Sequence, residues 1–283
     1  MQSSNPIFTR ADGFNGRNTN SAGTSYTGGA PQDTGYSDPS QWGTGTPGGP
    51  GIQVDQGRMT IDSVVQKTGL TLGIVVLFAA GTWMLTGPVA DPDALPLLYM
   101  LSMVGALGAF ALSMVNSFKK VVSPPLVLAF AALEGVFVGA FSKVIEGYFG
   151  QGLVVGAVLG TMAAVAGTLA AYKFFNIQVG TRFRMWVMGA MLGFVALSLL
   201  DLVLSFFGNS FGFNGFGTMG LISSVVGLGL GVLMLILDFD FVERGIAAGL
   251  PEQESWRAAF GLTVTIMWIY IELLRILAIL RGD

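Results

Sequence analysis

The last long apolar stretch, WRAAFGLTVTIMWIYIELLRILAIL from Trp256 to Leu280, constrains the fold more than any other part of the chain. It is long enough to cross a bilayer, which takes about 20 apolar residues, yet it carries Glu272 and Arg275. A charge near the bilayer centre costs roughly 2.5 to 3.5 kcal/mol on insertion scales, so intramembrane charges usually face protein or water. On a helix these two residues are i and i+3 neighbours and can pair. Thr265, seven residues before Glu272, lies on nearly the same face. A helix with such a polar stripe must be surrounded by others. The expected fold class is therefore all-α: a polytopic membrane protein with this helix central in the bundle.

From Met59 onward, seven hydrophobic spans are expected at approximately 68–87, 95–116, 126–146, 151–173, 184–207, 217–241 and 257–280. The connections are short and several carry Pro or Gly, as in GPVADPDALP and the Ser123-Pro124-Pro125 entry to the third span. The loop NSFGFNGFG after the fifth span has no charge, and its Phe and Gly content suits the headgroup level or a small re-entrant plug. Residues 1–57 are a different material, rich in Gly, Ser, Thr, Asn and Pro with almost no aliphatic residues. Such a stretch cannot bury enough apolar surface to offset its ordering entropy, and it is expected to be a disordered cytoplasmic tail ahead of a transmembrane domain over 58–283. No apolar run comes after the start, so a secretory signal is not expected.

Lysine and arginine set the expected orientation. One side collects Arg58, Lys67, Lys119, Lys120, Lys173, Arg182, Arg184, Arg244 and Arg257, while the other has Lys143 and Arg281, with Asp91 and Asp93 in its first loop. This places the N-terminus in the cytoplasm and the C-terminus outside a cytoplasmic membrane. Glycine pairs four apart, Gly135/Gly139, Gly156/Gly160, Gly189/Gly193 and Gly227/Gly231, allow helix backbones to approach closely. The GLGLG run at 227–231 comes after no strand and has no lysine, so it reads as packing rather than as a phosphate loop.

The chain has no cysteine and no histidine. That excludes disulfides, thiolate or imidazole metal sites and the usual general base, and it leaves any pH response to carboxylates. Besides Glu272 and Arg275, the spans contain Glu134, Asp201 and Asp238, with Asp240 at the end of the sixth. Their depths suggest an outer cluster of Asp201, Glu272 and Arg275, and an inner one of Glu134 and Asp238. Purely structural roles are open to the same residues. Glu272 with Arg275 could be a neutralised pair that fixes helix register, Asp201 could reach the outer interface, and Asp240 could cap a helix end in cytoplasmic water. Asp238 and Asp240, two residues apart, point to opposite faces. Glu134 is deep and has no basic neighbour in its own span, which fits a cation or proton path.

SPPLVLAFAALEGVFVG opening the third span, LDFDFVERG ending the sixth, IELLRIL in the seventh and MTIDSVVQKTGL before the first together resemble the Bax inhibitor-1 family, with its TMBIM and bacterial YccA-like members. The likeness covers about 59–283. It implies six helices around a central seventh, and a pH-sensitive calcium leak in which one aspartate on the sixth helix and one on the seventh share a proton and shut the pore. Asp238 matches the first of these and Glu134 matches the family's third-helix acid. Counting back from the matched Arg275, the second aspartate falls on Thr265, which cannot take that proton. Glu272 is two turns farther on, about 10 Å away, and cannot substitute on a straight helix. Thr265 and Asp240 are the candidate latch positions, and the departure at Thr265 argues against the proton-sharing latch while leaving an acidic pore.

Two functions remain open at this level. The first is a calcium or other cation leak channel, with Asp238 and Glu134 as candidate calcium ligands, since carboxylates are the hard oxygen donors calcium prefers. The second is a non-conducting protein that regulates a membrane protease or another membrane protein in stress. No enzymatic constellation, cofactor or nucleic-acid partner is expected; the lipid bilayer is.

Overall fold

The computed structural model describes residues 57–91, 93–175, 177 and 179–282. The tail expected over 1–57 lies, apart from Gly57, outside the described residues. The described part of the chain is built from seven α-helices: α1 (Ile61–Leu85), α2 (Ala94–Phe118), α3 (Pro124–Phe149), α4 (Leu153–Phe174), α5 (Thr181–Phe206), α6 (Thr218–Ala247) and α7 (Glu254–Gly282). The shortest has 22 residues and the longest 30, about 33 to 45 Å of helix, and all seven are long and apolar enough to cross a membrane. Among the described residues the one strand-like contact is a bridge between Arg58 and Pro251. The face on which α1 begins is called the near face, and the opposite one the far face.

The helices overrun the expected spans mostly at the near face, where hydropathy ends before hydrogen bonding does. α1 starts at Ile61 because Thr60 and Ser63 cap one another's backbone N–H groups. That polar turn is then tied to the α6–α7 connection. The Ser63 and Ser255 hydroxyls meet at 2.7 Å, Lys67 bonds both the carboxylate and the carbonyl of Glu252 at 3.0 Å, and the Met59 N–H bonds the Leu250 carbonyl. α6 continues to Ala247 because its charged end is paired with arginines within the fold rather than released into water.

α7 is the hub. It buries 61% of its apolar window, against 17% for α1, α2 and α5. It packs on α1, α3, α4 and α6, while α2 joins through α3 and α5 through α6. Its Ile269 and Leu274 pack into one cluster with Val75 of α1, Ala131 of α3 and Leu235 of α6, all nearly inaccessible. Three of the four glycine pairs act as seams between helices. A β-carbon at Gly135 would stand 2.5 Å from the Val75 carbonyl oxygen, and one at Gly139 the same distance from that of Ala79, so α3 meets the bare backbone of α1. Gly156 and Gly160 admit Leu277 and Leu273, and Gly227 and Gly231 admit Glu272 and Ile269. Gly189 and Gly193 on peripheral α5 have nothing within 4 Å.

The far-face charges are helix caps. The Lys143 ammonium donates to the carbonyls of Trp83 and Thr86, at 2.7 and 2.6 Å, closing the α1 C-terminus. Glu146 accepts the N–H groups of Gly152 and Val154 at the start of α4, and Arg281 donates to the Gln151 carbonyl.

Candidate functional site

α7 carries polar groups on several faces, and a neighbouring helix answers nearly every one. Below Thr265, Thr263 meets Thr71 of α1, hydroxyl to hydroxyl, at 2.8 Å. Above it, Tyr270 meets Ser142 of α3 at 2.7 Å, and the Trp268 indole N–H donates to the Gly227 carbonyl at 3.0 Å. Each is a group whose burial is tolerated because it is bonded. The helix is thus a polar spine, held in rotation and height by side chains of α1, α3 and α6.

At the candidate latch position, the Thr265 hydroxyl donates to Asp238 Oδ2 at 2.6 Å. The contact expected of two carboxyls is here made by a hydroxyl and a carboxylate. Gly261, one turn below Thr265, leaves room beside the same carboxylate, since a β-carbon there would stand 3.6 Å from Oδ1. Asp238 is half-buried, and Oδ1 has no hydrogen-bond partner among the described residues.

Glu134 lies at the same level. It is ten residues beyond the start of α3, Asp238 nine before the end of α6, and Thr265 eleven beyond the start of α7, which puts all three about 14 to 17 Å from the near ends of their helices. Glu134 is half-buried and makes no hydrogen bond among the described residues. It shares a level with Asp238 but not a contact, because α3 and α6 each pack on α7 and not on one another. The inner pair therefore flanks the central helix instead of forming one cluster.

Asp240 requires a correction. It is 5% exposed and not a solvated helix end, because α6 runs nearly two turns past it. Its carboxylate accepts from Arg184 of α5 at 2.6 Å and from Arg244, one turn along α6, at 2.9 Å; Arg244 also bonds the Val179 carbonyl. It is held by Arg184 of α5 and Arg244, and so takes no part in the Thr265–Asp238 contact. From the sequence, Arg184 and Arg244 count only as orientation charges. The i,i+4 spacing of Asp240 and Arg244 was the available signal.

In the far half, Glu272 and Arg275 form a buried pair at 3.2 Å, 4% and 8% exposed. Glu272 sits against bare Gly227, where a β-carbon would come within 2.7 Å of Oε1. Asp201 is 3% exposed, so it does not reach the interface, and it does not touch Arg275 either. The loop 207–217 lies between them. Asp201 accepts the N–H groups of Phe211 and Asn214, at 2.7 and 2.9 Å, while Arg275 donates to the carbonyls of Phe213 and Gly215, at 3.0 and 3.4 Å. Acid and base thus take the N–H and the carbonyl of the same Phe213–Asn214 peptide group. Backbone at membrane depth needs such partners.

A family model described as Bax inhibitor 1 like matches residues 5–282, including most of the polar stretch before α1. An uncharacterized protein of Chlamydia muridarum (strain MoPn / Nigg) is 30% identical over 158 residues, which cover 54% of this chain and 63% of that protein's length.

Proposed function

The chain belongs to the Bax inhibitor 1 like family, and on that premise we propose that it is a cation leak pathway, with calcium as the transported ion, in a cytoplasmic membrane with the near face inward. The observation that carries this reading is the pair of under-bonded carboxylates, Glu134 and Asp238, at one depth on either side of the central helix. Intramembrane acids without matching cations attract cations, and oxygen ligands suit calcium. Among the described residues no three acidic side chains gather into a metal-binding group. Single carboxylates bind weakly enough to release an ion, as conduction requires. The pathway works without catalytic chemistry or a resident cofactor.

The test is calcium uptake by liposomes holding the purified protein. Glu134→Gln and Asp238→Asn are each expected to lower uptake clearly while leaving the thermal unfolding midpoint nearly unchanged, since neither acid forms an ion pair among the described residues. Uptake equal to that of empty liposomes from folded wild-type protein would move the function to a non-conducting regulator of a membrane protease or other membrane partner.

Thr265 sets the pH response. A hydroxyl keeps its proton across neutral pH, so the Thr265–Asp238 contact does not depend on a shared proton. Wild-type uptake is expected to lack an acid-triggered closure between pH 8 and pH 6. Thr265→Asp places two carboxylates face to face; they repel when both are ionised and bind one another once a proton is shared. This variant is expected to close as pH falls. A Thr265→Asp variant whose pH profile overlies wild type would remove the latch role from this position.

A further inference from the structure

The loop 207–217 reaches across the far side of the bundle and is held there from four helices. α5 contributes Asp201, Ser198 and Phe194. The Ser198 hydroxyl donates to Asn214 Oδ1 at 2.6 Å, the Asn214 amide donates to the Ser198 carbonyl at 2.7 Å, and the Phe213 and Phe194 rings lie 5.1 Å apart. α6 contributes Ser223, whose hydroxyl donates to the Phe213 carbonyl, and Gly220, whose missing side chain admits the Gly215 carbonyl. From α7 comes Arg275, and from the end of α3 comes Phe149, its ring 5.0 Å from that of Phe216. Phe194 is twelve residues short of the far end of α5, about 18 Å along it, and residues 212–215 are half-buried, so this part of the loop dips into the bundle while 207–211, 216 and 217 stay exposed.

We propose that residues 207–217 are the outer plug of the cation path, with Asp201 and Arg275 as its catches. This deepens the leak reading and rests on it. Phe213 stands on Phe194 and through it on Trp268 at 5.7 Å, and its carbonyl accepts from Arg275, the partner of Glu272. Gly208 and Gly212, at φ +75° and +76°, are the two points where the chain reverses. The contacts that hold the loop are hydrogen bonds and ring contacts to side chains that can let go without unfolding a helix. A cation arriving at Glu272 competes with Arg275 for that carboxylate, and a displaced Arg275 no longer holds the Phe213 and Gly215 carbonyls.

The absence of native cysteine permits a clean lock. Ser198→Cys with Asn214→Cys, bridged by a short bifunctional thiosulfonate that forms disulfides, pins the loop to α5. Phe149→Cys with Phe216→Cys pins it to α3 and serves where the first pair disturbs folding. Calcium uptake by liposomes is expected to fall to that of empty liposomes once the bridge forms, and to return on adding reductant. Bridged and reduced proteins with equal, substantial uptake would overturn the plug while leaving the leak reading standing. Uptake absent in the reduced pairs and in wild type alike would overturn both.

Discussion

Arg275→Met is expected to destabilise the bundle by about 3 to 5 kcal/mol, the range for removing one partner of a buried ion pair. The change leaves Glu272, 4% exposed, without its cation and takes the donor from the Phe213 and Gly215 carbonyls. Most of the effect should come from the stranded carboxylate rather than from lost attraction, since a buried pair roughly balances its own desolvation. Combining Arg275→Met with Glu272→Gln should therefore recover much of the loss, leaving the share due to the loop carbonyls. Thermal unfolding in detergent micelles reads this directly, as a double-mutant cycle. Equal losses in the single and double variants would mean that Arg275 acts through the loop alone.

The second large effect belongs to a residue with no side chain. A β-carbon at position 139 would stand 2.5 Å from the Ala79 carbonyl and 2.8 Å from its Cα, so Gly139→Val can be accommodated only by moving α1 off α3. Overpacking a core typically costs about 1 to 3 kcal/mol when side chains can shift; here the obstacle is backbone, and the loss is expected to be larger. The displacement would also pull apart the Thr71–Thr263 and Ser63–Ser255 contacts that fix α7. Gly193→Val provides the contrast, since nothing lies within 4 Å of that site. The yield of monodisperse protein on size exclusion should collapse for the first and hold for the second. Similar yields would mean that the α1–α3 seam has slack.

That contrast marks what one sequence can and cannot convey. Both glycine pairs have the same spacing, and nothing local says which face meets another helix. The seven helices and the central position of α7 were legible because apolar length and an intramembrane charge pair are local signals. The position of each charge along its own helix comes from counting, which works where the helix ends are read well and fails for Asp238, whose helix outruns its hydropathy. Lateral neighbours were not legible. Counting put Asp201 level with Arg275, but a loop lies between them. It grouped Glu134 with an Asp238 set shallower, near the end of a span closing at 241, whereas α6 runs on to Ala247 and the two stand at one level with no contact between α3 and α6. Asp240 looked like a helix end because hydropathy stops there, whereas two arginines, one from another helix, keep it buried. The near-face helix starts were missed for the same reason: capping and cross-helix hydroxyl pairs carry no hydropathy signal.

A leak path past Glu134 and Asp238 requires that water and cations reach Asp238 from the near face. The direct measurement is reaction of an Asp238→Cys variant, in a chain with no other cysteine, with a membrane-impermeant thiol reagent applied to inside-out vesicles and to intact cells. Modification is expected in inside-out vesicles and not in intact cells, with a change in calcium uptake once the thiol has reacted. A thiol that stays unreactive from both sides in the folded protein, yet reacts once the protein is unfolded, would mean that Asp238 is sealed in the bundle and lines no path.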